Sequence, residues 1–137
     1  MKIIPFRVIT MLALMLFVAS CTDHEVPEPE KVPAKIKTLP LKHGVPIATF
    51  YVQFEDLGNI PIVEYGVVMS TGVAGYLVAL PTVADEVLIF SEPANNLDKK
   101  TQTQNKTFAD ANYRAYAKLS DGTVVYGELL KFRFEPG

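Results

Sequence analysis

Hydrophobic and polar residues alternate along several short segments of this 137-residue chain. Every second residue is apolar between positions 48 and 54, and the same period of two recurs over 63–69 and 130–134. A period of two places one side of a segment in a core and the other side toward water, as in a β-strand. No segment of the region after residue 35 has a sustained helical period. The pattern therefore predicts an all-β domain.

Turn-forming residues separate the alternating segments. Residues 56–61, Asp-Leu-Gly-Asn-Ile-Pro, form one such cluster. Residues 120–123, Ser-Asp-Gly-Thr, predict a short hairpin, because an Asp-Gly pair suits the positive φ of such turns. Residues 91–107 are polar and are predicted to contain a long connection, and residues 83–88 have no clear period. Several short strands with regular turns are typical of a sandwich or a small barrel.

Two blocks of sequence carry a resemblance to a known family. Residues 63–71 read Val-Glu-Tyr-Gly-Val-Val-Met-Ser-Thr, and residues 113–117 read Tyr-Arg-Ala-Tyr-Ala. The second block is followed by Gly-Thr-Val-Val-Tyr-Gly at 122–127 and by Phe132. Together they resemble bacterial fibronectin type III-like domains, which are immunoglobulin-like and occur in surface lipoproteins of Gram-negative gut bacteria. The resemblance implies a seven-stranded antiparallel β-sandwich over residues 36–137.

The alternation also predicts the orientation of the penultimate strand. Its small and aromatic residues should face the opposite sheet, where alanines leave room for aromatic rings. Its polar residues, together with one tyrosine, should face outward. The inward set is Ala111, Tyr113, Ala115, Ala117 and Leu119, and the outward set is Asn112, Arg114, Tyr116 and Lys118.

The first 21 residues indicate export and a lipid anchor. Lys2 and Arg7 precede an apolar run over 8–18, which is shorter than the roughly 20 residues of a membrane-spanning helix. The run ends at Ala-Ser-Cys21, which resembles the bacterial lipobox. The resemblance implies a diacylglycerol on Cys21 Sγ, removal of residues 1–20, and often a further acyl chain such as palmitate on the new amino terminus. An ordinary secretory signal or an uncleaved membrane helix is the alternative.

Residues 21–35 predict an extended tether between the membrane and the domain. The stretch contains three prolines, few apolar residues and the acids Asp23, Glu25, Glu28 and Glu30, so it cannot form a packed core. The acids resemble the export signals of surface lipoproteins, or they form only a solvated linker. Thr22, where inner-membrane lipoproteins often have Asp, favours the outer membrane. The cell surface is the expected location, with the periplasmic face as the alternative.

The charge of the chain argues against a nucleic-acid partner, and its cysteine content argues against a disulfide bond. Without Lys2 and Arg7 the 13 Lys and Arg residues fall to 11, against 15 Asp and Glu, so the mature chain is modestly acidic. Phosphate binding needs clustered basic residues, so we expect no nucleic-acid partner. The single cysteine is Cys21, so we expect no disulfide within the chain.

No pattern of catalytic or metal-binding residues is present. Of the two histidines, His24 lies in the tether and His43 near the first strand, and neither belongs to a cysteine or carboxylate cluster with metal-ligand spacing. The adjacent acids Asp85 and Glu86 are typical of a solvated turn and offer too few oxygen ligands for calcium. We therefore predict no catalytic residue, no metal and no cofactor.

Exposed tyrosines and, as an equal alternative, the loops near residues 72–76 and 92–107 are the remaining candidates for ligand contact. Tyr51, Tyr76 and Tyr116 could stack on sugar rings or on protein partners, although outward tyrosines also occur in strands for packing alone. We expect a non-enzymatic surface lipoprotein that acts as a binding or adhesion module for a glycan or protein ligand. The alternative is a structural or assembly subunit of a surface fibre or envelope complex.

Overall fold

The computed structural model describes residues 25–135, which contain eight β-strands and no helix. The predicted signal peptide and the predicted lipidation site Cys21 lie outside the described residues. Residues 31–135 belong to one compact unit, and the described residues before it, 25–30, are exposed and carry no strand. The strands are β1 (Lys35–His43), β2 (Ile47–Asp56), β3 (Ile62–Gly72), β4 (Glu86–Ile89), β5 (Lys100–Asn105), β6 (Asp110–Leu119), β7 (Val124–Tyr126) and β8 (Leu130–Arg133).

The strands form two antiparallel sheets, so the predicted all-β sandwich is confirmed at this level. One sheet has three strands in the order β1-β2-β5. The other has five, in the order β4-β3-β6, with both β7 and β8 paired to the far edge of β6. The predicted hairpin at 120–123 connects β6 to β7, where Leu119 N donates to Thr123 O at 2.8 Å.

The core lies where β2 faces β6, as the alternation predicts. Phe50 on β2 meets Tyr113 on β6 edge to face with ring centroids 5.6 Å apart, and Phe54 meets Tyr65 of β3 at 5.1 Å. Alanines on β6 leave room for these rings. All inward residues predicted on β6 are buried, as are their counterparts on β2: Ala111, Tyr113, Ala115, Ala117 and Leu119 with Ala48, Phe50, Val52 and Phe54.

One local prediction needs correction. Val63 begins the alternation of β3 but is 64% exposed, because the pairing with β6 shifts between Ile62 and Glu64 and puts Ile62 against the core instead.

The polar stretch 91–107 contains the predicted connection in its first half, between β4 and β5. Its second half forms β5, an edge strand whose polar residues pair with β2 over six positions.

The last predicted strand is divided into two, which gives eight strands where seven were expected. β7 and β8 both pair with β6, but residues 128–129 leave the ladder after Gly127, whose N–H still donates to Ala115 O at 2.9 Å. At this gap the buried hydroxyl of Thr38 on β1 accepts a hydrogen bond from Ala115 N at 2.8 Å. The β1 side chain therefore satisfies a β6 donor that an uninterrupted last strand would otherwise pair.

Replacing Thr38 with Val should destabilise the sandwich. The change keeps the shape of the side chain but leaves the buried Ala115 N–H without an acceptor, which costs about 1–3 kcal/mol. Urea unfolding should show a lower midpoint for T38V than for the wild type. The same change at the exposed Thr103 of β5 is the control. Equal midpoints for T38V and T103V would contradict the role of the hydroxyl.

Candidate functional site

The connection between β3 and β4 folds over the outward face of the five-stranded sheet. No charged residue occurs between Glu64 and Asp85, and residues 73–81 read Val-Ala-Gly-Tyr-Leu-Val-Ala-Leu-Pro. We call residues 73–81 the apolar loop. A surface segment of this composition is unusual, because exposed clusters of large apolar side chains mark sites of interaction.

Side chains of the sheet hold the backbone of the apolar loop. Val78 is fixed on both sides, since its N–H donates to Ser70 Oγ at 2.9 Å and its carbonyl accepts from Asn112 Nδ2 at 2.9 Å. Arg114 Nε donates to the carbonyl of Pro81 at 2.7 Å. The donors and acceptors come from β3 and β6, so the loop is fastened to the centre of the sheet.

A second set of contacts fixes the end of the connection. Arg114 stacks on Tyr126 of β7, with its guanidinium carbon 3.7 Å from the ring centroid. The hydroxyl of Tyr126 accepts from Val83 N at 3.2 Å. Arg114 thus joins a cation–π contact to a backbone hydrogen bond, and it serves as a structural anchor of the loop.

The tip of the apolar loop is a tight turn. Tyr76 N donates to Val73 O at 3.2 Å, and Gly75 has a φ of +93°, a conformation that residues with side chains rarely adopt. Asp110 Oδ2 accepts from Ala74 N at 3.0 Å. The turn therefore has a defined geometry and leaves Tyr76 90% exposed.

The large side chains of the apolar loop point into solvent while its backbone is bound to the sheet. Besides Tyr76, Val73 is 63% exposed, Leu80 is 52% exposed and Val78 is 43% exposed. Pro81, in contrast, is fully buried and closes the loop against the sheet. The loop thus presents apolar side chains without an internal cluster to cover them.

A groove of about 380 Å³ runs beside the apolar loop. The loop forms one wall with small and branched apolar side chains, β6 contributes an acid and an amide, and β8 forms the other wall with two cations. Arg133 Nε donates to Asp110 Oδ1 at 3.2 Å, and its side chain is 68% exposed. The lining residues are Ala74, Gly75, Leu77, Ala79, Asp110, Asn112, Lys131, Phe132 and Arg133.

Tyr116 lies on the outward face of β6, as predicted, but it is completely buried and not an exposed aromatic. It pairs with Gly66, which has no side chain, so the ring can lie toward Glu64 two residues along β3. Its hydroxyl donates to Glu64 Oε1 at 2.8 Å. The period of two predicts that Tyr116 faces outward, but it does not predict that the ring is buried there. No ligand can reach Tyr116 in this structure.

Glu64 connects Tyr116 to Lys118, whose Nζ lies 3.1 Å from the same carboxylate oxygen. The hydrogen bond from Tyr116 holds the pKa of Glu64 below its ordinary value of 4.5, and Lys118 acts in the same direction. Burial raises the pKa of Tyr116, and the carboxylate of Glu64 raises it further. The phenol therefore stays a donor and the acid stays ionised at neutral pH.

The three predicted tyrosines are not brought together. Tyr51 lies on the outward side of β2, in the other sheet, where the ammonium of Lys99 is 4.5 Å from the ring centroid. Tyr76 lies at the tip of the apolar loop, and Tyr116 is buried. Tyr76 is therefore the tyrosine with a fully presented ring, and ligand contact through it or Tyr51 stays a prediction.

The acidic pair at 85–86 is used within the fold. Asp85 Oδ2 accepts from Thr82 N at 2.8 Å and closes the turn before β4. Glu86 binds Lys106 and accepts from Gln104 Nε2 at 3.2 Å, which links β4 of one sheet to the end of β5 in the other. Both carboxylates therefore have structural partners.

Residues 25–135 contain no cluster of three or more His, Cys, Asp or Glu residues that could hold a metal ion. His43 instead stacks on Phe132, with ring centroids 4.9 Å apart, and lies beside Phe108 and Phe134. Nor does this part of the chain include a helix that is long and apolar enough to cross a membrane.

Comparison with models of protein families, with curated proteins and with solved structures finds no match to this chain. The site therefore has to be judged on its own geometry. Sequence reasoning placed candidate contacts on single tyrosines and on the loop near residues 72–76, but it did not identify residues 73–81 as one apolar segment. The signal was present in the uncharged stretch between Glu64 and Asp85, whose hydrophobic residues at 76–80 follow each other without a strand period.

Replacing Glu64 with Gln should make the free energy of unfolding depend less strongly on pH under acidic conditions. The pKa of Glu64 is lower in the folded chain than in the unfolded one. Its stabilising effect is therefore present above the unfolded value and is lost as pH falls through the folded value. Urea unfolding between about pH 3 and about pH 7 should show a smaller loss of free energy below pH 4.5 for E64Q than for the wild type.

The exposed Glu55 on β2 offers a matched control, since E55Q makes the same charge change outside this network. Its acid profile should follow that of the wild type. An E64Q profile as steep as that of E55Q would show that Tyr116 and Lys118 do not stabilise the ionised form of Glu64 in the folded state.

Proposed function

We propose that this protein is an outer-membrane lipoprotein, exposed at the cell surface, that acts as a non-catalytic binding module through its apolar loop. The observation that carries this proposal is the apolar loop itself. Its backbone is fixed by side chains of β3 and β6, yet Val73, Tyr76 and Leu80 are each more than half exposed. A rigid apolar surface loses little conformational entropy when it binds, which favours recognition.

The strand order supports a fibronectin type III-like domain as the scaffold. The first, second and fifth strands form one sheet, and the third, fourth and sixth strands with the divided last strand form the other. An immunoglobulin-like sandwich divides its strands in this way when the fourth strand lies beside the third. In such domains the loops between strands commonly carry recognition, as the apolar loop does in this proposal.

The position of the tether supports an anchor at Cys21. The chain enters the sandwich beside the turn before β3, where Val32 N donates to Asn59 Oδ1 at 2.7 Å and Asn59 N donates to Val32 O at 2.9 Å. The apolar loop begins after Gly72, at the opposite end of the eleven-residue β3. A tether fixed at one end of this strand leaves the tip at the other end free to meet a ligand.

The anchor is tested by the mass and location of the native protein. Loss of residues 1–20 with added acyl mass on Cys21 is the expected result, and C21A should leave the membrane fraction. Proteinase added to intact cells should degrade the wild-type domain. An unmodified Cys21 in native protein would end the lipoprotein proposal, and cleavage only after cell lysis would place the domain on the periplasmic face.

The binding role is tested by photo-crosslinking in living cells. A benzoylphenylalanine at position 76 should form a defined adduct with a lipid, protein or glycan of the envelope or a neighbouring surface. The same residue at the exposed position 103 on β5 is the control and should give no such adduct. Equal labelling from both positions, or none from position 76, would refute the apolar loop as a binding surface.

A further inference from the structure

We propose that the ligand of the apolar loop is the surface of a lipid bilayer with anionic headgroups. This inference rests on the proposed function and names the class of its ligand. The apolar tip would enter the region between headgroups and acyl chains, and the cations of the neighbouring groove would lie among the headgroups.

The side chains at the tip fit the boundary of a bilayer. Val73 and Leu80 are aliphatic, and Tyr76, which is 90% exposed, carries an apolar ring with a polar end. Tyrosine is enriched at the interface between lipid and water for this reason. The loop offers no other polar side chain over residues 73–81, so it has few groups with which to recognise the hydroxyls of a glycan.

The groove places positive charge directly beside this apolar surface. Lys131 is exposed and forms no ion pair within residues 25–135. Arg133 is bound to Asp110 through Nε, and its side chain is still 68% exposed. A groove of about 380 Å³ with an apolar wall and a cationic wall matches an amphiphile with a negative head.

The distribution of charge along the whole chain also favours contact with an anionic surface through the apolar loop. Residues 31–135 contain eleven Lys or Arg and eleven Asp or Glu, so the sandwich is neutral, and the acidic excess lies in the four acids of residues 23–30. An anionic surface would repel the acidic tether and attract the groove that contains Lys131. Local charge therefore favours contact through the tip and not through the end where the tether enters.

A bilayer is also the partner that the proposed anchor keeps within reach. From Cys21 to Val32 the chain spans eleven residues, or about 36 Å when fully extended. The eleven residues of β3 separate the tether from the apolar loop by about 35 Å. The tip can therefore return to the membrane that holds the anchor. Tethering raises the effective concentration of that membrane, so a weak contact suffices.

The test uses the unlipidated chain from residue 22 onward with vesicles of phosphatidylcholine containing about 30% phosphatidylglycerol. The wild type should co-sediment with these vesicles, and binding should fall when salt is raised. The double variant V73S/Y76S should bind at least about tenfold more weakly. The variant K131Q/R133Q should lose most of the preference over pure phosphatidylcholine.

The matched control is V63S/I89S, which removes two other exposed apolar side chains, 64% and 55% exposed, away from the loop. It should bind as the wild type does. Absence of wild-type binding, or equal losses in V73S/Y76S and V63S/I89S, would overturn the lipid inference. A protein adduct at position 76 together with no vesicle binding would overturn it and leave the binding role intact, whereas no adduct of any kind would remove both.

Discussion

The pairing of β3 with β6 is the interaction on which the other features depend. The two strands pair over ten positions in the middle of the five-stranded sheet. Both faces of this pair are covered, so Val67 and Val68, neighbours that point to opposite sides of β3, are equally buried. Ala115 and Tyr116 on β6 behave in the same way. One face of such a strand pair packs in the core. The other face can support a second layer, here the apolar loop, whose side chains are exposed to solvent.

The apolar loop can be both ordered and exposed because the sheet beneath it holds its backbone. Its polar backbone is bound by side chains that the sheet directs outward, such as Asn112 and Arg114, so the loop needs no hydrophobic cluster of its own to fold. The apolar side chains are then free to point into solvent. A loop held by its own side chains would bury them and would have nothing to present to a partner.

The residues of the core could be predicted from the sequence, whereas the residues that cover the outward face of the sheet could not, for a physical reason. Alternation reports which side chains share a face, so the core residues of β2 and β6 followed directly from it. It does not report what covers the other face, which depends on a loop distant in sequence. Tyr116 was therefore placed on the correct face and expected to be exposed. The gap in the last strand lies where the Thr38 hydroxyl accepts from Ala115 N, a contact between residues 77 positions apart in the chain.

Charged residues are also distributed unevenly along the chain. The sandwich over residues 31–135 contains equal numbers of acidic and basic residues, and acids such as Glu64 and Glu86 have basic partners there. The acidic excess lies in the four acids before residue 31, and the chain that follows them enters the sandwich at Val32, beside the start of β3. The uncharged loop and Lys131 lie at or beside the other end. With Cys21 lipidated, as we propose, both the anchor and the tip would act on membrane surfaces. The acids between them would keep the tether in water and extended, because charged linkers repel themselves.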